Sequence, residues 1–197
     1  MQKGENTKEL IVKTSATLFN TRGYIGTSMS DIMDATNLKK GGIYNHFKNK
    51  DEIAFAAFEY SYGLVLHRFK TELASCANSE EKLRAVIEVF TSLLINPIVE
   101  GGCPIFNTAV DSVDVHESLH KKAKNAVNTL LKYVEIKVEE GKIENEFKEE
   151  INASDFALLL VSSMEGAMMV SRVNGNHAAV KNTAELMNTY ITTQLLK

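Results

Sequence analysis

Two short stretches of this chain hold the residues with the most evident chemistry. The first, "LKKGGIYNHFKNK" over residues 38–50, sets four lysines, a Tyr, two Asn and a His around two adjacent glycines. Lys39 and Lys40 are suited to reach phosphates or guanine edges, and Asn45 base edges or phosphate. Tyr44 and His46 can donate to phosphate oxygens, while Lys48 and Lys50 add positive charge. The second stretch, "HESLH" at 116–120, has the spacing of a zinc hydrolase. On a helix His116 and His120 share one face and Glu117 could act as general base. That alternative lacks an evident third protein ligand, and "KKAK" places positive charge directly beside it. We therefore assign no catalytic residue, no metal and no cofactor, and expect no enzyme. Incidental or ligand-derived metal binding by the two histidines is a separate reading.

Charge divides the chain unevenly. The 197 residues carry a formal net charge of -3, yet residues 1–50 hold eight Lys/Arg against four Asp/Glu, or +4, and the remainder is -7. A basic head on an acidic body points to a polyanion that meets the head alone. A rival reading is a helical module whose basic head meets a protein or an anionic membrane. Apolar residues make up 44% and charged residues 24%, a globular composition. No run of 18 uninterrupted apolar residues occurs, and "MQKGENTKEL" lacks the apolar core of a signal peptide, so we expect a cytoplasmic protein without a membrane span. Cys76 and Cys103 form no C-x-x-C pair and suggest no disulfide framework.

The elements that must hold these residues read as helices almost throughout, with no period-2 alternation. The pattern predicts helices over about 7–22, 28–36, 40–47 and 51–74. Ser28 is the expected N-cap of the second, Ile32 and Ala35 its inward residues, and Asn37 its turn. Further helices are expected from a Ser79 cap, over about 105–113, over 115–140 with Gly141 as the stop, and over 153–173 and 178–196. The second and third helices make a helix-turn-helix, against which the first packs. Glycine at 41 and 42 removes side chains where such a helix approaches a duplex. Thr27 and Ser28 offer hydroxyls and amides to neighbouring phosphates.

These residues carry a resemblance. "ELIVKTSATLFNTRGYIGTSMSDIMDATNLKKGGIYNHFKNKDEI" resembles the DNA-binding domain of the TetR family of bacterial transcriptional regulators. The matching features are Leu18-Phe19, Gly23-Tyr24, Thr27-Ser28, Asp31-Ile32, Ala35, Leu38, Gly41, Ile43-Tyr44, His46-Phe47 and Lys50. The resemblance implies operator contacts by Thr27, Ser28, Lys39, Lys40, Gly41, Gly42, Tyr44, Asn45, His46 and Lys50. Asn37 stands where Gly is usual, and Lys39 where a small hydroxyl residue often caps the third helix.

Beyond residue 53 the resemblance is one of plan. It implies an all-α chain with a DNA-binding domain over 1–50 and a helical effector-binding and dimerisation domain over 51–197. The expected function is a ligand-responsive repressor, released from a near-palindromic double-stranded operator by an unknown small molecule. A homodimer joined by the last two helices is also implied. The apolar "FALLLVSSMEGAMMV" should be buried on several faces, and "LMNTYITTQLL" supplies an amphipathic partner. Candidate ligand-lining residues are Phe58, Tyr62, Phe69, Phe90, Phe106, Asn107, Met164 and Met168, with Asp111 and Glu165 as polar anchors.

Overall fold

The structure, a computed structural model, describes residues 2–197. In chain order the helices are α1 (Gln2–Arg22), α2 (Met29–Thr36), α3 (Lys40–Tyr44), α4 (Lys50–Leu73) and α5 (Ser79–Ile95). They continue with α6 (Pro104–Asp111), α7 (Glu117–Ile143), α8 (Ala153–Asn174) and α9 (Ala178–Tyr190), which runs into a π-helical turn, Ile191–Leu195. Among the described residues the strand-like pairing is one isolated antiparallel bridge, Phe147 with Leu196. The fold is all-α. It divides into two compact units: the chain up to Val65 with Ile98–Ala126, and Leu66–Pro97 with Val127–Lys197.

In the first unit, α1, α2, α3 and the start of α4 close over Ile11, Leu18, Ile32, Ile43, Phe47 and Ile53. Local chemistry sets the helix ends. The Asp31 amide donates to Ser28 Oγ (3.1 Å) and the Ser28 amide to Asp31 Oδ2 (2.7 Å), a complete capping box. Asn37 adopts φ 55 and ends α2, as its tolerance of the left-handed region leads one to expect. Thr36, rather than Ala35, shares the buried face with Ile32; Ala35 is exposed. The Lys39 N-cap makes no side-chain bond. α3 is shorter than expected because the amides of His46 and Phe47 both turn back to the Ile43 carbonyl. α1 starts earlier than expected, at Gln2 rather than near Thr7.

The second unit packs α5, α8 and α9 together. Asn78, not Ser79, caps α5: its Oδ1 accepts the Glu81 amide at 2.8 Å. The Glu146 carboxylate takes the next free amides, from Ser79 and Glu80. Gly141 does not stop α7, which runs on to Ile143. Its missing side chain admits the Phe147 ring, since a Cβ there would lie 2.2 Å from Phe147 Cδ2. Phe147 folds back through Asn145 at φ 63, and the amides of Glu146 and Phe147 bond the Gly141 carbonyl. Arg84 ties α5 to the chain end through the Asn188 carbonyl (3.1 Å) and Thr192 Oγ1 (2.8 Å).

α8 departs from its expected burial. Phe156, Leu160, Met164, Met168 and Ser171 form one buried side, whereas Leu158, Met169 and Val173 on the other side are 59%, 65% and 82% exposed. By length and composition α8 could cross a membrane. Its packing against α5 and α9 marks it as a core helix with one apolar face uncovered in the single chain.

Candidate nucleic-acid interface

The helix-turn-helix gathers most of the sequence's candidate residues on one exposed surface. Ser28, the N-cap of α2, is exposed; Lys39, Lys40, Gly41, Tyr44 and Asn45 are exposed along α3 and its flanks, and Gly42 and His46 are half-buried. Lys40 Nζ lies 5.6 Å from the centre of the Tyr44 ring, close enough for a cation–π contact. The buried Ile43 and Phe47 anchor α3 from below, so its polar side faces outward.

The two glycines have no explanation inside the fold. Neither has a positive φ. A Cβ on Gly41 would meet nothing within 4 Å, and one on Gly42 would make an ordinary 3.5 Å contact with Leu38. Alanine at each would favour the helix by about 1 kcal/mol.

Two residues expected to contact DNA are engaged within the fold. Thr27 is fully buried, and its hydroxyl donates to the Gly23 carbonyl at 2.9 Å, so in this conformation it shapes the turn rather than presenting an oxygen at the surface. Lys50 is half-buried and its ammonium is turned inward. Nζ donates to the carbonyls of Tyr24 (2.9 Å) and Thr27 (3.1 Å) and sits 3.9 Å from the Tyr24 ring centre. Ser28 remains exposed, but its hydroxyl bonds the Asp31 carboxylate. That bond, with the Ser28 amide, lowers the Asp31 pKa below the ordinary carboxylate value.

Sequence reasoning did not single out Tyr24 as an organising residue. Its hydroxyl donates to Asp51, its ring stacks with Phe19 at 6.2 Å, and its carbonyl receives Lys50. Burial, with the Asp51 bond second, pushes its phenol up to about 12. The Gly23-Tyr24 pair within the TetR-like pattern was the available signal.

The histidines of "HESLH" have other work. His116 precedes α7 and its Nδ1 accepts the Leu119 amide at 3.3 Å, while its ring packs edge-on against Tyr24 and Phe55. His120 Nδ1 lies 3.1 Å from the Ala109 carbonyl. Among the described residues no three His, Cys, Asp or Glu side chains gather as a metal site. Nothing supports the hydrolase alternative.

The expected ligand residues fall in different settings. Phe58 and Asp111 line a cleft in the first unit with Asn20, Tyr24, Ser61 and Thr108, whose space open to a water-sized molecule is about 20 Å³. That suits a water, not an organic effector. Tyr62 stacks on Phe58 at 5.9 Å, and Phe69 meets Phe90 edge-on at 6.3 Å. Met164 and Met168 are buried in the core, and Phe106 and Glu165 are half-buried. Two of the expected polar residues are engaged within the fold: the lining candidate Asn107 donates to Asn20 Oδ1 (2.9 Å) and the Gly101 carbonyl (2.8 Å), and the anchor candidate Asp111 accepts the Tyr24 amide.

A three-helix head with an outward α3 on an all-α body defines a helix-turn-helix transcriptional regulator. Residues 11–57 match the family described as "Bacterial regulatory proteins, tetR family", and residues 79–187 match "Tetracyclin repressor-like, C-terminal domain". A TetR transcriptional regulator from Chloroflexus aurantiacus J-10-FL is 38% identical, with 100% of this chain and 99% of that one covered and a TM-score of 0.95. The HTH-type regulator YxaF of Bacillus subtilis (strain 168) is 26% identical over 181 residues, 91% of this chain and 92% of that one. The negative regulator IcaR of the Staphylococcus epidermidis biofilm operon icaADBC is 44% identical over 46 residues, 23% of this chain and 25% of its own. The chain belongs to the TetR family: it is a ligand-responsive, DNA-binding transcriptional regulator and not an enzyme.

Proposed function

We propose that the protein is a cytoplasmic homodimeric repressor that holds a near-palindromic operator until a small-molecule effector releases it. Residues 1–50 supply DNA binding, and residues 51–197 supply effector binding and dimerisation. Ser28, Lys39, Lys40, Gly41, Gly42, Tyr44, Asn45 and His46 contact the duplex. Thr27 and Lys50 hold the turn from which those contacts are made. The observation that carries this reading is the glycine pair: the fold has room for a Cβ at 41 and at 42, whereas a duplex pressed against α3 would not. The basic balance of residues 1–50 supports it. The repressing sense draws on the negative regulator IcaR, whose likeness is confined to a short stretch.

The dimer is formed by the uncovered face of α8 together with α9, where Leu158, Met169, Val173 and Leu186 are exposed. Two α3 helices then enter successive major grooves roughly 34–36 Å apart. The effector meets the aromatic and methionine side chains of residues 51–197, without Asn107 and Asp111, whose polar groups are engaged elsewhere. It must bind the released state more tightly than the DNA-bound one.

The test is selection of bound duplexes from a random pool, followed by titration of the enriched sequence. A near-palindrome should emerge, and its affinity should fall about 10³-fold or more between 50 and 200 mM salt. No enriched duplex, or affinity indifferent to salt, would contradict the reading.

A further inference from the structure

We propose that Asp111 and Asn107, one helical turn apart on α6, are positioning residues for DNA binding: they hold the turn between α1 and α2 without touching DNA. The inference rests on the DNA-binding reading above.

The grip has two points. At the first, the buried Asn20 of α1 donates its amide to the carbonyls of Glu100 (2.8 Å) and Gly102 (3.1 Å). Asn107 donates back to Asn20 Oδ1 (2.9 Å) and to the Gly101 carbonyl (2.8 Å). The connection must lie flat against α1 for this. Gly101 has φ 109, and a Cβ on it would come within 2.8 Å of the Asn20 carbonyl oxygen. At the second, Asp111 Oδ2 accepts the Tyr24 amide at 2.5 Å. Gly23 leaves room for that carboxylate, since its Cβ would lie 2.3 Å from Asp111 Oδ1.

From Tyr24 the bonds continue into the helix-turn-helix. Lys50 bridges the Tyr24 and Thr27 carbonyls, and the Thr27 hydroxyl returns to Gly23. Ser28, the next residue, caps α2. The segment from Asn20 to Ser28 is thus fixed at one end by α6 and delivers α2, and with it α3, at the other. A hydrogen bond to a charged group is worth enough to matter to that pose. Asp111 is the more telling member because of its sign. Deleting an acid from a DNA-binding protein should by charge alone raise affinity for DNA. A positioning role requires the opposite.

The experiment compares full-length wild type with Asp111→Ala, Asp111→Asn and Asn107→Ala, at a temperature where thermal melts show each variant folded. Each is titrated with the operator enriched on wild type and with a random-sequence duplex. Asp111→Ala should bind the operator about tenfold more weakly and the random duplex within about twofold of wild type. Asp111→Asn, which keeps an oxygen able to accept the Tyr24 amide, should recover most of the loss. Asn107→Ala should weaken operator binding in the same sense, and it decides the matter if Asp111→Ala does not fold. Operator affinity unchanged or raised in the alanine variants overturns the proposal, as does an equal loss on both duplexes. If wild type enriches no duplex, the DNA-binding reading fails first and the inference falls with it. Wild-type enrichment with indifferent variants sinks the inference alone.

Discussion

Gly141 and the Gly41–Gly42 pair all lie inside helices, for opposite reasons. Gly141 is buried, and a Cβ there would enter the Phe147 ring; Gly41 faces open space, and Gly42 has only an ordinary neighbour in Leu38. A glycine that the fold cannot replace reports on the fold. A glycine that the fold would accept more favourably as alanine, by about 1 kcal/mol, points to something outside the chain. The same division between inward and outward reasons sorts the other residues of interest.

The largest outward effect belongs to α8. Leu158, 59% exposed, has no reason within one chain. Leu158→Asp should leave the helical spectrum intact, convert a dimer to a monomer in sedimentation, and lower operator affinity on the order of 100-fold through lost bivalency. A dimer of normal affinity would remove α8 from the proposed interface. The largest inward effect belongs to Gly141. Gly141→Ala should cost about 2–3 kcal/mol in urea denaturation by overpacking, with operator affinity of the folded protein unchanged. Wild-type stability would show that the close approach of Phe147 is not what this glycine serves.

Lys50 sharpens the division because its sequence and its geometry disagree. Read outward, it is a phosphate contact; its ammonium instead bonds two backbone carbonyls. Lys50→Ala should therefore lower stability by about 1–2 kcal/mol as well as weaken binding to every duplex. Weakened binding at unchanged stability would restore the outward reading.

Tyr24 gives the smallest effect. Its folded phenol titrates at about 12, against 10.0 for an ordinary tyrosine. Between those values the unfolded chain has lost a proton that the folded chain keeps. Its contribution is complete below about pH 10 and declines as pH rises toward 12. Tyr24→Phe should flatten part of that decline in urea midpoints measured above about pH 9.5. Tyr133, also raised to about 12 by burial, supplies a remaining slope. An unchanged profile would mean that the Tyr24 phenol is not held in its neutral form.

What the sequence disclosed follows the range of the interactions. The Ser28 cap and the left-handed Asn37 depend on residues within three or four positions, and both were legible. So was the α2–turn–α3 surface, whose residues lie within about twenty positions of one another. The reason for Gly141 lies in a ring that folds back onto it, so a helix-internal glycine looked like a stop. Asn107 looked like a pocket-lining residue and Asp111 like a ligand anchor because their partners, Asn20 and Tyr24, are 87 residues away. Thr27 and Lys50 fitted the pattern of DNA contacts, but a pattern of residue types does not show which way a hydroxyl or an ammonium turns. The effector site stayed illegible for a further reason: aromatic and methionine side chains at helical spacing fill a core and line a pocket equally well.

The claim on which the rest depends is that the space at α3 is kept for a duplex. Gly41→Leu tests it most directly, because a Cβ at 41 meets nothing within 4 Å. The measurement is affinity for the enriched operator, taken beside a urea melt of the same protein. Stability equal to or up to about 1 kcal/mol above wild type, with operator affinity at least about tenfold weaker, is the expected result. Operator affinity equal to wild type in a folded Gly41→Leu protein would contradict it.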